Sequence, residues 1–589
     1  MNTTAVAGAA RLTRRVLHAR RVPGLLAVAG SLLLLLHFHD RFWWPPDEGN
    51  FAHVAERILD GEILQADVQD VHAGHINFVN AAAMQVFGRR LVSMRYPLAA
   101  IALLQAVIVY ALLIPRGPWI AAIGSVSGTA LGPIQFLNPT PHWYCLFLAL
   151  ALACWLQRRP VGAPMRLEVA GLLVGTIFLF RQLTGVLVAM AVITFLLLEA
   201  GTLAASAGSK SRRGLLAAGI IGTMAIGLLW YLARATDASG WILFGLGPLA
   251  VLVHAWRRVR ISDLACLPLL GRLAIGAAIA TAPLALYHAV HGSLHAWFSD
   301  AVVTAVDLPS LSFVRSISYL AWEALAVLAV ASGNWPAPLS GAFWVIAPLL
   351  SLGLGILLLR RLAHEDGATS LGPLPIVAVF YGLVSVHYAI PIYLFYSLGI
   401  SVIALLWVTA APGAASRPTV IAAGAVLLSS AAVFFQAGQP VTRGARGIID
   451  GVREAAVPKT SLRRSGLRVD PRSAAVYETL VQLIERETRP NETIAAIPSN
   501  AELYFLAERR NPFRFYNTAL GIRDAADLAA VLEVFRRAPP RLVLFEPTDK
   551  YNTPQSREIM ALVRTQYEPL GDIAAFEIYR LGRQGGTSP

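Results

Sequence analysis

Long apolar runs recur along most of the chain and are separated by short polar segments. Because about 20 apolar residues are needed for a helix to cross a bilayer, we interpret these runs as transmembrane helices. They predict thirteen spans, at 22–39, 97–115, 118–136, 143–157, 168–180, 184–200, 214–233, 241–255, 273–289, 342–360, 371–387, 393–410 and 418–436. The spans at 143–157 and 168–180 are short for a crossing. The apolar run 317–333 fits no crossing and is interpreted as an interfacial or half-inserted helix.

Composition and charge placement agree with a polytopic membrane protein. Of 589 residues, 56% are hydrophobic and 14% are charged, and the mean hydropathy is +0.58. The net charge of +14 would suit a nucleic-acid partner, but the basic residues cluster in short loops instead, at 11–21, 158–166, 210–213, 257–260 and 360–361. This positive-inside pattern predicts a cytoplasmic N-terminus and an outward-facing C-terminus, and it argues against nucleic acid. Cys145, Cys154 and Cys266 lie in apolar segments without metal-ligand spacing, which indicates packing residues.

The first predicted outer loop, 41–96, contains the densest set of reactive side chains. Apolar residues at helical spacing predict two amphipathic helices, the first with Phe51, Val54, Ala55, Ile58 and Leu59 on one face. Acidic residues, histidines and arginines surround them: Asp47, Glu48, Asp67, Asp70, His72, His75, Arg89, Arg90 and Arg95. Placing ionisable groups at a bilayer costs free energy, so such groups usually have a function there. This loop is therefore the candidate active site, at the boundary between lipid and water.

The end of the chain differs from the rest in charge density. The predicted domains are therefore a transmembrane domain at 1–436, a linker at 437–464 and a soluble α/β domain outside the cytoplasm at 465–589. Within the α/β domain, Ile494 to Ile497, Arg541 to Phe545 and Ala574–Arg580 read as strands, and Ser473–Glu487 and Ala525–Arg537 read as helices, the first capped by its serine. A structural or acceptor-docking role is expected for it, because it has no glycine-rich phosphate loop and no metal cluster.

Several segments resemble family C glycosyltransferases. The similar motifs are Asp47-Glu48-Gly49, Leu59-Asp60-Gly61-Glu62, Asp67-x-x-Asp70-x-His72, Phe87-Gly88, Asn138 to Trp143, Phe180 to Gly185, and Tyr388 to Tyr396. The branch in question is the bacterial one related to protein O-mannosyltransferases and to the aminoarabinose transferase that modifies lipid A. Asn50 and Phe51 stand where the aminoarabinose branch has basic and tyrosine residues, which favours the broader group that uses neutral sugars or uncharacterised polyprenyl-phosphate donors.

The resemblance implies an enzyme of the bacterial cytoplasmic membrane that moves a sugar from a polyprenyl phosphate, with inversion, to a glycan, lipid or protein acceptor on the outer face. Asp47 matches the family's catalytic base, with Glu48 beside it, and His72 and Arg181 match residues near the donor phosphate. A hydroxyl nucleophile needs a base such as a carboxylate, and a leaving phosphate needs positive charge. Arg89 and Arg90 are further candidates for the phosphate, and Asp67, Asp70, His75 and His142 for loop support. No cofactor is predicted firmly, and a divalent cation remains an open alternative.

Each candidate also has a structural interpretation. Asp47 is a suitable N-cap for the helix that follows, and Glu48 is a suitable exposed acid in its first turn. Asp70 and His72 could form an ion pair within the loop. His75 and His142 suit an interface, and the arginines suit lipid headgroups in general. A membrane transporter and a non-catalytic scaffold for envelope assembly stay as alternative functions, although no internal repeat supports the transporter.

Overall fold

The computed structural model describes residues 3–41, 43–206, 214–311, 314, 318–331, 337–363, 371–386, 391–410, 424, 460–490 and 492–582. Within these ranges the chain is a polytopic helical protein with a small mixed sheet near its end. Its helices of seven residues or more are α1 (Thr3–Phe38), α2 (Pro45–Leu59), α3 (His75–Phe87), α4 (Arg95–Leu113), α5 (Pro118–Ala130), α6 (Pro141–Arg158), α7 (Arg166–Phe180), α8 (Gln182–Ser206), α9 (Leu215–Ala235), α10 (Leu246–Arg258), α11 (Asp263–Val290), α12 (Tyr319–Ala331), α13 (Ala337–Leu362), α14 (Leu374–Tyr381), α15 (Pro391–Thr409), α16 (Pro471–Glu487), α17 (Ala501–Ala507), α18 (Ala525–Arg537) and α19 (Pro554–Gln566).

Eight helical segments in the described ranges are long and apolar enough to cross a membrane. They are Arg21–Phe38, Leu91–Arg116, Gln182–Ala204, Leu215–Ala235, Ala238–Arg258, Asp263–Val290, Gly341–Leu362 and Ile392–Thr409. Four other predicted spans coincide with α5, α6, α7 and α14, which are shorter or less apolar. The predicted span 418–436 lies outside the described residues except for Gly424, as does most of the predicted linker. The run at 317–333 contains α12.

A glycine contact between two helices fixes one part of the candidate site. Gly171 and Gly175 lie one turn apart on α7, and a Cβ placed on Gly171 would be 1.9 Å from the Leu273 carbonyl oxygen of α11. The contact is equally close from the α11 side, where a Cβ placed on Gly276 would be 1.9 Å from the Glu168 carbonyl oxygen of α7. Small residues let transmembrane helices approach this closely. Since α7 ends directly before Arg181, this packing sets the position of that arginine.

The terminal domain has a four-stranded sheet, as the sequence predicts an α/β unit there. Its strands are β1 (Ile494–Ile497), β2 (Leu542–Phe545), β3 (Tyr567–Ile573) and β4 (Phe576–Leu581), in the order β1-β2-β4-β3. Strands β1 and β2 are parallel, and the remaining pairs are antiparallel. The predicted serine cap of the first helix is wrong, because α16 begins two residues earlier and Asp470 caps it by accepting a hydrogen bond from the Ser473 backbone N–H.

The terminal domain packs directly on the loop between α1 and α4. The Gln69 backbone N–H donates to the Arg514 carbonyl at 2.8 Å, and Leu91 donates in the same way to Arg464 at 2.9 Å. The Arg57 guanidinium donates to the Phe513 carbonyl at 2.8 Å. Buried backbone groups need hydrogen-bond partners. The loop and the terminal domain supply such partners to each other.

Candidate active site

Asp47 lies in the first turn of α2. The helix begins at Pro45, so Trp44 is the N-cap residue, and its side chain makes no capping hydrogen bond. The interpretation of Asp47 as the cap of this helix is therefore wrong. A carboxylate in the first turn still interacts favourably with the positive end of the helix dipole, while its side chain remains available for other contacts.

The surroundings of Asp47 combine burial with nearby positive charge. The residue is half-buried, and the Asn138 amide donates to its Oδ2 at 3.5 Å. Burial raises the pKa of the Asp47 carboxyl, and the charges of Lys550 and then His72 act in the opposite direction. A base needs both properties, because a raised pKa strengthens its affinity for a proton and nearby positive charge favours its ionised form.

Glu48 has a different environment from its neighbour. It is completely buried and pairs with Arg95, whose Nη2 lies 2.6 Å from Glu48 Oε1. Arg95 also donates to the carbonyls of His39 and Arg41. Burial raises the pKa of Glu48 to about 7, although Arg95 opposes this shift. The pair connects α2, α4 and the end of α1, and the predicted exposed acid is wrong because Glu48 faces the interior.

The histidine and acids of the first loop form a connected network. Asp70 Oδ1 accepts hydrogen bonds from both the His72 backbone N–H, at 2.8 Å, and the His72 ring Nδ1, at 2.7 Å. The Gln65 amide donates to the carbonyls of Asp70 and His72. Asp67 accepts a hydrogen bond from the Ile63 backbone N–H at 2.8 Å. Asp70 thus orients His72, and Asp67 stabilises the earlier part of the loop.

Arg181 lies between α7 and α8 and is only 7% exposed. Its guanidinium donates to Thr184 Oγ1 at 3.0 Å and lies 5.8 Å from the centre of the Tyr393 ring. Among the described residues no carboxylate lies within 4 Å of it, in contrast to Arg95 and Arg166. An arginine of this burial without an acidic partner is suited to an anionic ligand.

Aromatic side chains connect Asp47 to Arg181. Tyr396 stacks on His142 with ring centroids 3.7 Å apart, and Tyr393 contacts both rings edge-on. Arg181 lies over the Tyr393 ring, and the Asn138 amide, four residues before His142, donates to Asp47. The predicted base and the predicted phosphate ligand therefore border the same group of aromatic residues.

His75 lies on the side of this site next to Arg181. It is the first residue of α3, and its ring packs edge-on against Phe180, with centroids 5.4 Å apart. Burial lowers the pKa of His75. The neutral imidazole therefore serves as a packing group beside the arginine.

Arg89 and Arg90 lie elsewhere. Arg89 pairs with Asp60 at 2.7 Å, and Asp60 follows the last residue of α2. Because α2 rises 1.5 Å per residue, its two ends are roughly 20 Å apart. Arg90 is exposed. The structure thus brings together Asp47, His72, Arg181 and His142 and separates them from these two arginines.

The terminal domain contributes side chains that were not among the candidates from the sequence. The Lys550 charge opposes the effect of burial on the pKa of Asp47. Glu502 is buried, and burial raises its pKa to about 8. Neither of them belongs to a recognisable motif, although their positions after the predicted strands were a usable signal. Across the described ranges, no group of three His, Cys, Asp or Glu side chains is arranged to hold a metal ion.

Comparisons with known proteins give similarity at the level of structure. Neither the protein-family models nor the curated proteins include a match to the sequence. The solved structures that are similar to the chain include two of ArnT from Cupriavidus metallidurans. The one bound to undecaprenyl phosphate has 12% identity and a TM-score of 0.39, and the similarity covers 95% of this chain and 98% of that one. The apo structure has 12% identity, a TM-score of 0.38 and coverage of 94% and 97%.

Proposed function

We propose that the protein is a membrane glycosyltransferase that moves a sugar from a polyprenyl-phosphate donor to a hydroxyl acceptor on the outer face of the cytoplasmic membrane. The observation that carries this proposal is a short series of contacts between Asp47 and Arg181. Arg181 lies 5.8 Å from the centre of the Tyr393 ring, which packs edge-on against His142. Asn138, four residues before His142, donates to Asp47. A base near a cation that has no carboxylate partner among the described residues suits a displacement in which a proton is taken at one end and a phosphate leaves at the other.

The proposed reaction is a single displacement. The acceptor oxygen forms a bond to the anomeric carbon while the bond from that carbon to the phosphate oxygen breaks, which inverts the configuration. Asp47 receives the acceptor proton, and the polyprenyl phosphate leaves with the bonding electrons. Arg181 and His72 stabilise the charge on the departing phosphate, and Asp70 orients His72 through two hydrogen bonds to one oxygen.

The other candidate residues have supporting roles in this proposal. His142 and His75 shape the site through Tyr396 and Phe180, and Asp67 holds the loop. Glu48 supports Asp47 by fixing the first turn of α2 through Arg95. Arg89, which pairs with Asp60, and the exposed Arg90 lie at the far end of α2 and take no part in the proposed reaction. The charge pattern further favours a cytoplasmic N-terminus and a terminal domain outside the cytoplasm.

Purified protein in lipid nanodiscs, supplied with a panel of polyprenyl-phosphate sugars, tests this function. We expect release of free polyprenyl phosphate from at least one donor and an acceptor product of inverted configuration by NMR. The same assay with Asp47→Asn should show little release. Retained configuration would exclude the single displacement, and failure of every donor with every class of acceptor would exclude the transferase.

A further inference from the structure

Gln182 follows Arg181 in the chain and is the first residue of α8. It is only 8% exposed. Its amide nitrogen donates two hydrogen bonds, one to the Val71 carbonyl at 2.9 Å and one to the Ala301 carbonyl at 2.6 Å. A side-chain amide nitrogen carries two hydrogens, so both are used. Gln182 thus connects the start of α8 with the first loop and with the segment that follows α11.

The hydrogen bond to Val71 joins the neighbours of two candidate phosphate ligands. Val71 directly precedes His72, and Gln182 directly follows Arg181. The backbone that carries the guanidinium and the backbone that carries the imidazole are therefore connected through one hydrogen bond. A change in that bond alters the distance between the two side chains.

An aromatic contact joins the same two segments on the other side of Arg181. Phe180 packs edge-on against His75, with ring centroids 5.4 Å apart. Ring contacts of this kind are found over a wide range of distances, whereas a hydrogen bond needs a short distance and an aligned donor. The polar contact of Gln182 therefore defines the position of one segment relative to the other more narrowly than the ring contact does.

The backbone around His72 has further anchors of its own. The Trp297 indole N–H donates to the Ala73 carbonyl at 2.8 Å, and the Gln65 amide donates to the His72 carbonyl at 3.1 Å. These bonds hold the loop whether or not Val71 has its partner. Loss of the bond from Gln182 should consequently shift the loop relative to Arg181 without unfolding it.

The second acceptor of Gln182 belongs to a segment that is itself held firmly. Ala301 follows Asp300, whose carboxylate is completely buried and pairs with Arg514 of the terminal domain. The Gln69 amide donates to the same carboxylate at 3.2 Å. A buried carboxylate needs such partners, so this part of the chain has little freedom to move. The Ala301 carbonyl thereby fixes the amide of Gln182 in the orientation that reaches Val71.

We propose that Gln182 is a positioning residue for the donor phosphate, whose two hydrogen bonds set the distance between Arg181 and His72 so that both reach the same phosphate. The inference rests on the proposed function. Two side chains from separate segments bind one group well only when a supporting set of contacts holds them in the right geometry. A neutral amide provides this support with two donors and adds no charge that would compete for the phosphate.

Binding of undecaprenyl phosphate to the full-length protein in lipid nanodiscs tests the proposal without turnover. Gln182→Met keeps the length of the side chain and removes both donors. We expect an affinity about tenfold weaker, since two hydrogen bonds are lost. Ser125→Ala, which removes a buried hydrogen bond of 2.7 Å to the Ala106 carbonyl between α5 and α4, is the matched control and should bind as the wild type does.

A double variant separates positioning from a general loss of structure. In an Arg181→Ala background, Gln182→Met should weaken binding by less than about twofold, because the guanidinium that it positions is gone. Losses that multiply in the double variant would show that Gln182 acts on the fold as a whole and would overturn the proposal. Wild-type affinity in Gln182→Met, or an equal loss in Ser125→Ala, would also overturn it.

A shorter amide and the wild type complete the experiment. If Gln182→Met does not fold, Gln182→Asn takes its place, because its amide is one methylene too short to reach both carbonyls, and the same criteria apply to its smaller expected loss. A wild-type protein that binds undecaprenyl phosphate but transfers no sugar would exclude the transferase, while the binding result still decides the role of Gln182. A wild-type protein without affinity for undecaprenyl phosphate would overturn both.

Discussion

Glu48 and Arg95 form an ion pair in which both side chains are completely excluded from solvent, with the closest atoms 2.6 Å apart. The preceding residue of the helix, Asp47, is half-buried and accepts a hydrogen bond from the Asn138 amide. Two neighbouring acids on one helical turn therefore have separate tasks. Glu48 holds α2 in place, and Asp47 is the one positioned for chemistry.

The ion pair gives a first prediction. Glu48→Gln should reduce the free energy of unfolding by about 3–5 kcal/mol, because it leaves the Arg95 charge buried without its carboxylate. Thermal unfolding of the detergent-purified protein measures this effect, and a double variant with Arg95→Met should recover part of the loss. A Glu48→Gln protein of normal stability that has lost turnover would instead make Glu48 the catalytic base.

The second prediction concerns the pH dependence of turnover. Burial raises the pKa of Asp47, and a base must be deprotonated, so the rate should fall as the pH drops through a midpoint above the usual aspartate value. Asp47→Asn should lower turnover by about 10²–10⁴-fold at neutral pH. Asp60→Asn, at the other end of α2, is the matched control and should retain turnover. Equal loss in both variants would point to damage of the helix instead of loss of a base.

A third prediction compares two arginines. Arg181 has no carboxylate partner among the described residues, whereas Arg89 is compensated by Asp60 and Glu56. Arg181→Ala should therefore raise the donor KM and lower kcat more than Arg89→Ala does. Arg181→Lys should recover only part of the activity, because lysine lacks the two-pronged contact. Equal effects of the two alanine variants would place the phosphate near Arg89.

The fourth prediction tests the contact between α7 and α11. Gly171→Leu places a side chain where the Leu273 carbonyl already lies, so the helices must separate. We expect a loss of about 1–3 kcal/mol or more, together with a lower affinity for undecaprenyl phosphate because Arg181 moves with α7. Gly219→Leu on α9, where nothing lies within 4 Å of an added Cβ, serves as the control. If both variants unfold at the wild-type temperature, the glycine contact is not needed.

The sequence predicted the features that depend on short-range patterns. Strand β1 and helix α18 have the bounds that periodicity indicated, and the apolar face of α2 buries Phe51, Val54 and Ala55. These follow from neighbours a few residues apart. The sequence did not predict that α2 begins at Pro45. Proline can occupy the first helical positions because no backbone N–H is required there, so these two prolines belong to the helix and do not precede it.

Long-range contacts account for what the sequence did not indicate. Nothing near position 95 shows that its arginine points inward to Glu48. Arg89 looked similar to Arg95 because both are basic and lie on the outer loop. The difference arises only from which acid each meets after folding, Asp60 at the helix end or Glu48 in the interior.

The hydrogen bonds between the first loop and the terminal domain also bear on biosynthesis. Arg57 and its acceptor at Phe513 are 456 positions apart, so the loop leaves the ribosome long before its partner exists. A nascent chain arrested before this point would insert its helices but lack the groups that shape the loop around Asp47. Only full-length molecules would be active, and premature termination would yield inactive proteins instead of proteins with unregulated activity.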